Sequence, residues 1–324
     1  MKTSFRTFLM FLGLVACAST FPAEAAEKLR VGKAVAFAWT FSALDVGMQT
    51  GIFAKHGVEI EASAFNGDAR MQQGLTSDSI DIGLGSGPGM AFMAKGVPAK
   101  AVAAFAGVPR SMAVMVNYNL PIRTVDDLKG KKLGVTTVGS LTDWIGKRIN
   151  AMKGWSAAEG IITVPIGGVQ PARPAVKTGQ LDGYIGALET GYALEENQEW
   201  RVITTATPFV DAFITHVFFA RHDLIEKRPQ AVRGFLAGWF ETIAWMKANK
   251  EKTVEITAKV INLPPSVVAR AYDDQIGIFT SDGVFDPKAV AMLKQSFIEM
   301  GLLKETPDDN VLFTTQFVPV KAGS

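Results

Sequence analysis

Short apolar runs alternate with amphipathic helical patterns along most of the 324 residues, and that alternation confines the chain to an α/β architecture. Leu29–Gly32 reads as the first strand. Phe41, Leu44, Met48 and Ile52 then recur at helical spacing and predict one helix with those residues on its buried face. Gly57 closes that unit, and Val58-Glu59-Ile60-Glu61 alternates as a second strand. A short helix around Ala69–Leu75 follows Asn66-Gly67-Asp68, a sequence able to cap it. Asp81–Leu84 is a third strand, followed by the small-residue turn Gly85–Gly89 and a helix to Lys95. Ala101–Phe105 is the fourth.

The same style repeats between 124 and 205, with strands at Leu133–Thr136, Ile161–Val164, Asp182–Ile185 and Arg201–Thr204. Between the first two, a helix starts at Ser140 in a capping-box spacing with Asp143. It buries Leu141, Trp144, Ile145 and Met152 and stops at Gly154. The last third is mostly helical. Val232, Phe235, Leu236, Trp239, Phe240, Ile243 and Met246 form an apolar stripe after Pro229. Asp286-Pro287 opens a further helix that Gly301 closes.

The N-terminus reads as an export signal. Lys2 and Arg6 precede an apolar run from Phe8 to Ala18, and Ala23-Glu24-Ala25 has the small residues of a cleavage site. That run is about half of the ~20 residues a membrane-spanning helix needs. Leu14-Val15-Ala16-Cys17 offers a competing lipoprotein site, in which Cys17 would carry the lipid. Cys17 is the only cysteine, so cleavage near Ala25 leaves no thiol chemistry. Without residues 1–26 the balance is 31 basic against 30 acidic residues, with no basic block to bind nucleic acid. The roughly 300 residues that remain exceed one ordinary domain and predict two lobes, and a 48% hydrophobic composition can bury a substantial core.

Three stretches resemble a known family. Gly51-Ile52-Phe53-Ala54-Lys55-His56-Gly57-Val58-Glu59-Ile60-Glu61 is similar to a segment of the solute-binding proteins of ABC importers, in the group that handles nitrate, taurine and other sulfonates, and thiamine pyrimidine precursors. Leu128-Lys129-Gly130-Lys131-Lys132-Leu133-Gly134-Val135 with Gly139-Ser140, and Gly179-Gln180-Leu181-Asp182-Gly183, resemble two further motifs of that group. The resemblance implies a two-lobed periplasmic-binding-protein fold of type II, with two crossover segments and ligand in the cleft. Mapped onto this chain, residues 1–25 are the signal peptide, 26–110 and 213–324 form one lobe, and 111–212 the other. Arg110–Asn117 and Phe213–Ala220 are then the crossovers. The implied partners are a small-molecule solute and the permease and ATPase subunits at the inner membrane. A monomer is expected, in the periplasm, free after cleavage near Ala25 or lipid-anchored through Cys17.

Open parallel sheets bind ligands at the carboxyl ends of their strands. Ala36–Thr40, Gly85–Gly89, Thr137–Ser140 and Ala187–Thr190 are such ends here. One helix N-terminus contributes about 0.3–1 kcal/mol, or about 2 at best, whereas micromolar affinity needs about 8 kcal/mol. Closure of the lobes and stacking on an aromatic face must supply the rest. The candidate ligand contacts are Trp39, Ser86, Gly87, Ser140, Glu189, Arg110 and His216. Phe41 fits its helix stripe better than the cleft. Glu189 is expected to meet an amino group of the ligand, as the resemblance suggests.

No catalytic constellation is legible. His56, His216 and His222 lack metal-ligand spacing, and no metal or other cofactor is expected. Gly83–Gly89 is glycine-rich but fails both G-x-G-x-x-G and G-x-S-x-G. The expectation is therefore a binding protein for a sulfonate-like, nitrate-like or aminopyrimidine solute. The alternatives are a periplasmic ligand sensor and a thiamine-pyrimidine-synthase-like enzyme on the same fold.

Overall fold

Among the described residues, ten strands build two five-stranded sheets of one topology. The computed structural model describes residues 26–321; the export signal, its cleavage at Ala25 and Cys17 lie outside the described residues. The strands are β1 (Glu27–Lys33), β2 (Val58–Ala64), β3 (Ile82–Ser86), β4 (Ala99–Ala106), β5 (Met112–Asn117), β6 (Lys132–Val135), β7 (Ile162–Pro165), β8 (Gly183–Ala187), β9 (Trp200–Thr205) and β10 (His216–Arg221). The first sheet has the order β2-β1-β3-β10-β4 and the second β7-β6-β8-β5-β9. In each, four strands run in one direction, and the strand that has just crossed from the other sheet enters fourth in the order and antiparallel to both its neighbours. The parallel pairs are joined through helices because a hairpin cannot reconnect parallel strands.

The chain passes between the sheets at 107–111 and 206–215, slightly outside the segments expected from the sequence, most of which are strand in β5 and β10. The two passages are stitched together. Thr215 donates its N–H to the carbonyls of Ala106 and Gly107 at 2.9 and 3.1 Å, and its hydroxyl also donates to the Gly107 carbonyl.

The stripe of the helix Pro229–Ala248 is buried as its spacing predicts. Trp239 and Phe235 pack on Phe218 of β10, which stacks on Phe105 of β4 at 4.4 Å. Each such side chain contributes about 1.5–3 kcal/mol on full burial. The helix predicted over Phe41 to Ile52 is instead three pieces: a 3₁₀ turn Trp39–Phe41, a helix Ser42–Gln49 and a short helix Ile52–Lys55. Gly51 breaks it with φ +73°, a conformation that favours glycine. Past that break Ile52 is buried on a new axis, whereas Met48 is 38% exposed rather than buried. Met152 is likewise 52% exposed; Ile149 takes the buried position of that helix, and Met152 falls in its last turn before Gly154.

The C-terminal helices reach across to the second sheet's lobe. Trp144 Nε1 and Arg148 Nη1 donate to the two oxygens of Glu299, each at 2.8 Å. The Trp144 ring stacks on Phe213 of the second passage at 4.1 Å. Tyr192 Oη donates to Asp274 at 2.7 Å. Among the described residues no helix is long and apolar enough to cross a membrane.

Candidate functional site

The carboxyl ends of β1, β3, β6 and β8 converge on a cavity of about 130 Å³ between the lobes. Its size is close to the ~150 Å³ that holds one benzene ring in an engineered protein cavity. One lobe contributes the loop 34–38, Thr40, Phe41, residues 66–68, Ser86 and His216. The other contributes Ser111, Met112, Thr136, Leu141, Thr142, residues 168–171, Tyr184, Gly186, Ala187, Glu189 and Thr190.

Two carboxyl groups stand in this wall. Asp68 opens the helix Asp68–Thr76, but its side chain turns away from capping and toward β3. Ser86 donates its N–H and its hydroxyl to the two Asp68 oxygens at 2.8 and 2.9 Å. Glu189, in the first turn of Leu188–Glu196, accepts the Trp39 N–H at 2.7 Å and Gln275 Nε2 at 3.2 Å. Burial pushes both carboxyls above the usual carboxylate range, against the hydrogen bonds that pull them down. His216 lies on β10 opposite Ser86 and Ala106. Its Nε2 meets Thr40 Oγ1 at 3.3 Å, and its ring stacks on Phe105. Burial lowers its pKa to about 3, so the imidazole is neutral at physiological pH.

The lobes also touch directly. Gly67, at φ +116°, sits where a Cβ would come 2.5 Å from Thr137 Cγ2 of the other lobe. Ala69 N–H approaches Thr137 Oγ1 at 3.4 Å. Phe37, Val169, Gln170 and Thr190 line both the cavity and an adjoining hollow that also contains Arg173, Asn197 and Asn262.

Ser86, Glu189 and His216 therefore stand in the wall, and four other candidates do not. The Trp39 ring is fully buried against Tyr272 and Phe279, and only its backbone reaches toward the site. Gly87 spends its N–H on the Thr215 carbonyl at 3.0 Å, and a Cβ there would lie 1.9 Å from the Ile214 carbonyl oxygen. Its role is close packing against the second passage. Ser140 caps its helix, accepting from Asp143 N–H at 3.4 Å, and its hydroxyl is shared with Thr136 and Thr142. Arg110 is exposed on the first passage, outside the wall. Phe41 is both core and wall, at 2% exposure.

Asp68 and Ser111 were not singled out from the sequence. Asp68 reads as a helix cap, and only its place beside the end of β3 shows otherwise. Ser111 carries a hydroxyl that has no protein partner and is 2% exposed.

Two sheets of one topology, two passages between them and a cavity walled from both sides give the architecture of a two-lobed solute-binding protein. The chain belongs to the NMT1/THI5-like family, whose model matches residues 40–253. It is 28% identical over 261 residues to a protein of Brucella abortus named as a binding protein, covering 79% of this chain and 76% of that one. It is 24% identical over 245 residues to an aliphatic sulfonates-binding protein of Bacillus subtilis, covering 75% and 72%. Its fold matches that of the alkanesulfonate-binding protein of Xanthomonas axonopodis pv. citri bound to MOPS with a TM-score of 0.75, at 19% identity over 92% of this chain and 98% of that one. The architecture is the periplasmic-binding-protein fold.

Proposed function

We propose that this chain is the substrate-binding subunit of an ABC importer, capturing one small organic solute between its lobes and handing it to a membrane permease. The observation that carries this reading is the cavity whose wall is shared between two lobes joined by paired passages. Opening at the passages admits solute, and closure removes it from water, which strengthens every polar contact inside. The sulfonate-binding names of relatives support the class of protein. Asp68, Glu189, Thr136 and Thr142 of the wall are held by backbone and neighbouring side chains rather than poised as a nucleophile with its base, which suits binding rather than turnover. The protein acts in the periplasm as a monomer, freed by cleavage near Ala25, or else anchored through a lipidated Cys17.

Deleting the gene in its host and following uptake of candidate solutes tests this reading. Loss of high-affinity uptake of one solute, restored by the intact gene, supports it; unchanged uptake across solutes that bind the purified chain contradicts it. Mass measurement of the mature N-terminus separates the free form from the lipid-anchored one.

A further inference from the structure

We propose that the hollow beside the cavity is a second binding subsite, in which Arg173 holds the anionic end of a solute whose compact head fills the inner space. The proposal rests on the solute-binding reading above and extends it to a two-part solute, a head joined by a short arm to a terminal oxyanion.

The two spaces are continuous, since Phe37, Val169, Gln170 and Thr190 belong to the walls of both. The inner one, at about 130 Å³, has room for a single ring and little more. The hollow is larger, at about 240 Å³. It too is walled from both lobes, with Phe37 and Asn262 on one side and Arg173 and Asn197 on the other. An arm attached to the head can therefore pass over Phe37 into the hollow without leaving the cleft between the lobes. Phe37 is 41% exposed, and an arm lying on its ring would take that apolar surface out of water.

Charge distinguishes the hollow from the inner space. Among the described residues, Arg173 is the one lysine or arginine that lines either. Its Nε and Nη2 donate to Glu199 at 3.2 and 2.7 Å, and Nη1 remains for a second acceptor. Glu199 lies outside the wall of the hollow, so the pair presents its positive end to that space. The two side chains are 44% and 39% exposed, and an ion pair so open to water is weak. An incoming oxyanion can share the guanidinium or draw it away from Glu199, and the planar fork of donors suits two oxygens of one such group. The carboxamides of Gln170 and Asn262 line the same space and can donate to the oxygens that remain.

The test uses two pairs of probes, each pair sharing one head and one arm and differing at the far end. They are 3-morpholinopropanesulfonate beside 3-morpholinopropanol, and 3-phenylpropyl phosphate beside 3-phenylpropanol. Isothermal titration of the full mature chain, Arg173→Gln and Glu199→Gln, in a buffer free of sulfonate and phosphate, reads the ratio of anion to alcohol affinity within each protein. In the native chain at least one anion is expected to bind about ten-fold or more tightly than its alcohol. That ratio should fall to about two-fold or less in Arg173→Gln and rise in Glu199→Gln, where the competing carboxylate is gone. The opposite signs separate a ligand contact from an ion pair that only supports the fold, because loss of mere support would weaken binding in both variants alike. Absence of an anion preference in the native chain, a preference that survives Arg173→Gln, or one that falls in both variants overturns the subsite and leaves the importer reading standing. Failure of all four probes to bind also overturns it. The importer reading fails separately, through unchanged uptake after gene deletion.

Discussion

Glu189 of one lobe accepts the backbone N–H of Trp39 of the other at 2.7 Å, in a place where both residues are essentially cut off from water. The carboxyl group on the cavity wall is thus also a strut between the lobes. Truncating it orphans a buried backbone donor and the Gln275 amide, and an unsatisfied buried group costs about 1–3 kcal/mol. Glu189→Ala should lower unfolding stability by about that amount in urea titrations, whereas Glu189→Gln, which keeps an oxygen for Trp39, should lose clearly less. Equal losses would mean that the bond does not join the lobes in solution.

Gly67 makes closure possible. Its φ of +116° disfavours any side chain, and a Cβ would run into Thr137 across the cleft. Gly67→Ala should bind solute at least ten-fold more weakly and hold a larger radius of gyration in X-ray scattering with solute present. Adding Thr137→Gly to that variant should recover part of the closure, because it removes the clash though not the backbone strain.

Glu299 holds Trp144 and Arg148 at once, on the side of the lobes where Trp144 stacks on Phe213. Arg148 and Glu299 are 20% and 14% exposed, so water screens the pair only in part. Glu299→Ala should destabilise the chain by about 1–3 kcal/mol and shift tryptophan emission, as the indole loses its acceptor. An unchanged emission maximum would show that Trp144 does not use this acceptor.

His216 has its pKa lowered to about 3 by burial among Phe41, Phe105, Thr40 and Ser86. The unfolded chain takes up a proton near pH 6.5 and the folded chain does not, so stability falls on acidification through that window, by at most about 1.4 kcal/mol per pH unit. Asp68 and Glu189, raised by burial, act with the opposite sign, losing stability as pH climbs above the ordinary carboxylate range. Comparing native chain with His216→Gln isolates the histidine. The difference in unfolding free energy between pH 7 and pH 5 should shift toward zero or reverse in the variant; an identical difference would show that His216 titrates normally.

The strands were legible because each is a short apolar run closed by glycine or a polar turn, and the stripe after Pro229 because burial repeats at helical spacing. Met48 and Met152 misled because spacing continues across a break such as Gly51 and past the end of a packed face. Strand ends located Ser86 and Glu189, and the expected second crossover located His216. They could not orient Trp39, whose indole turns into the core while its N–H faces the site. Nor could they show that Asp68 leaves its helix to meet Ser86, since that choice depends on a strand 14 residues further along the chain, from Asp68 to Ile82.

Native mass spectrometry of the mature chain, purified without unfolding from cells grown in rich medium and then denatured to release its cargo, tests the central claim most directly. The account predicts one small molecule per chain, held between the lobes and released on denaturation. A chain that stays empty in every extract and shows no closure with any solute would contradict the binding role itself.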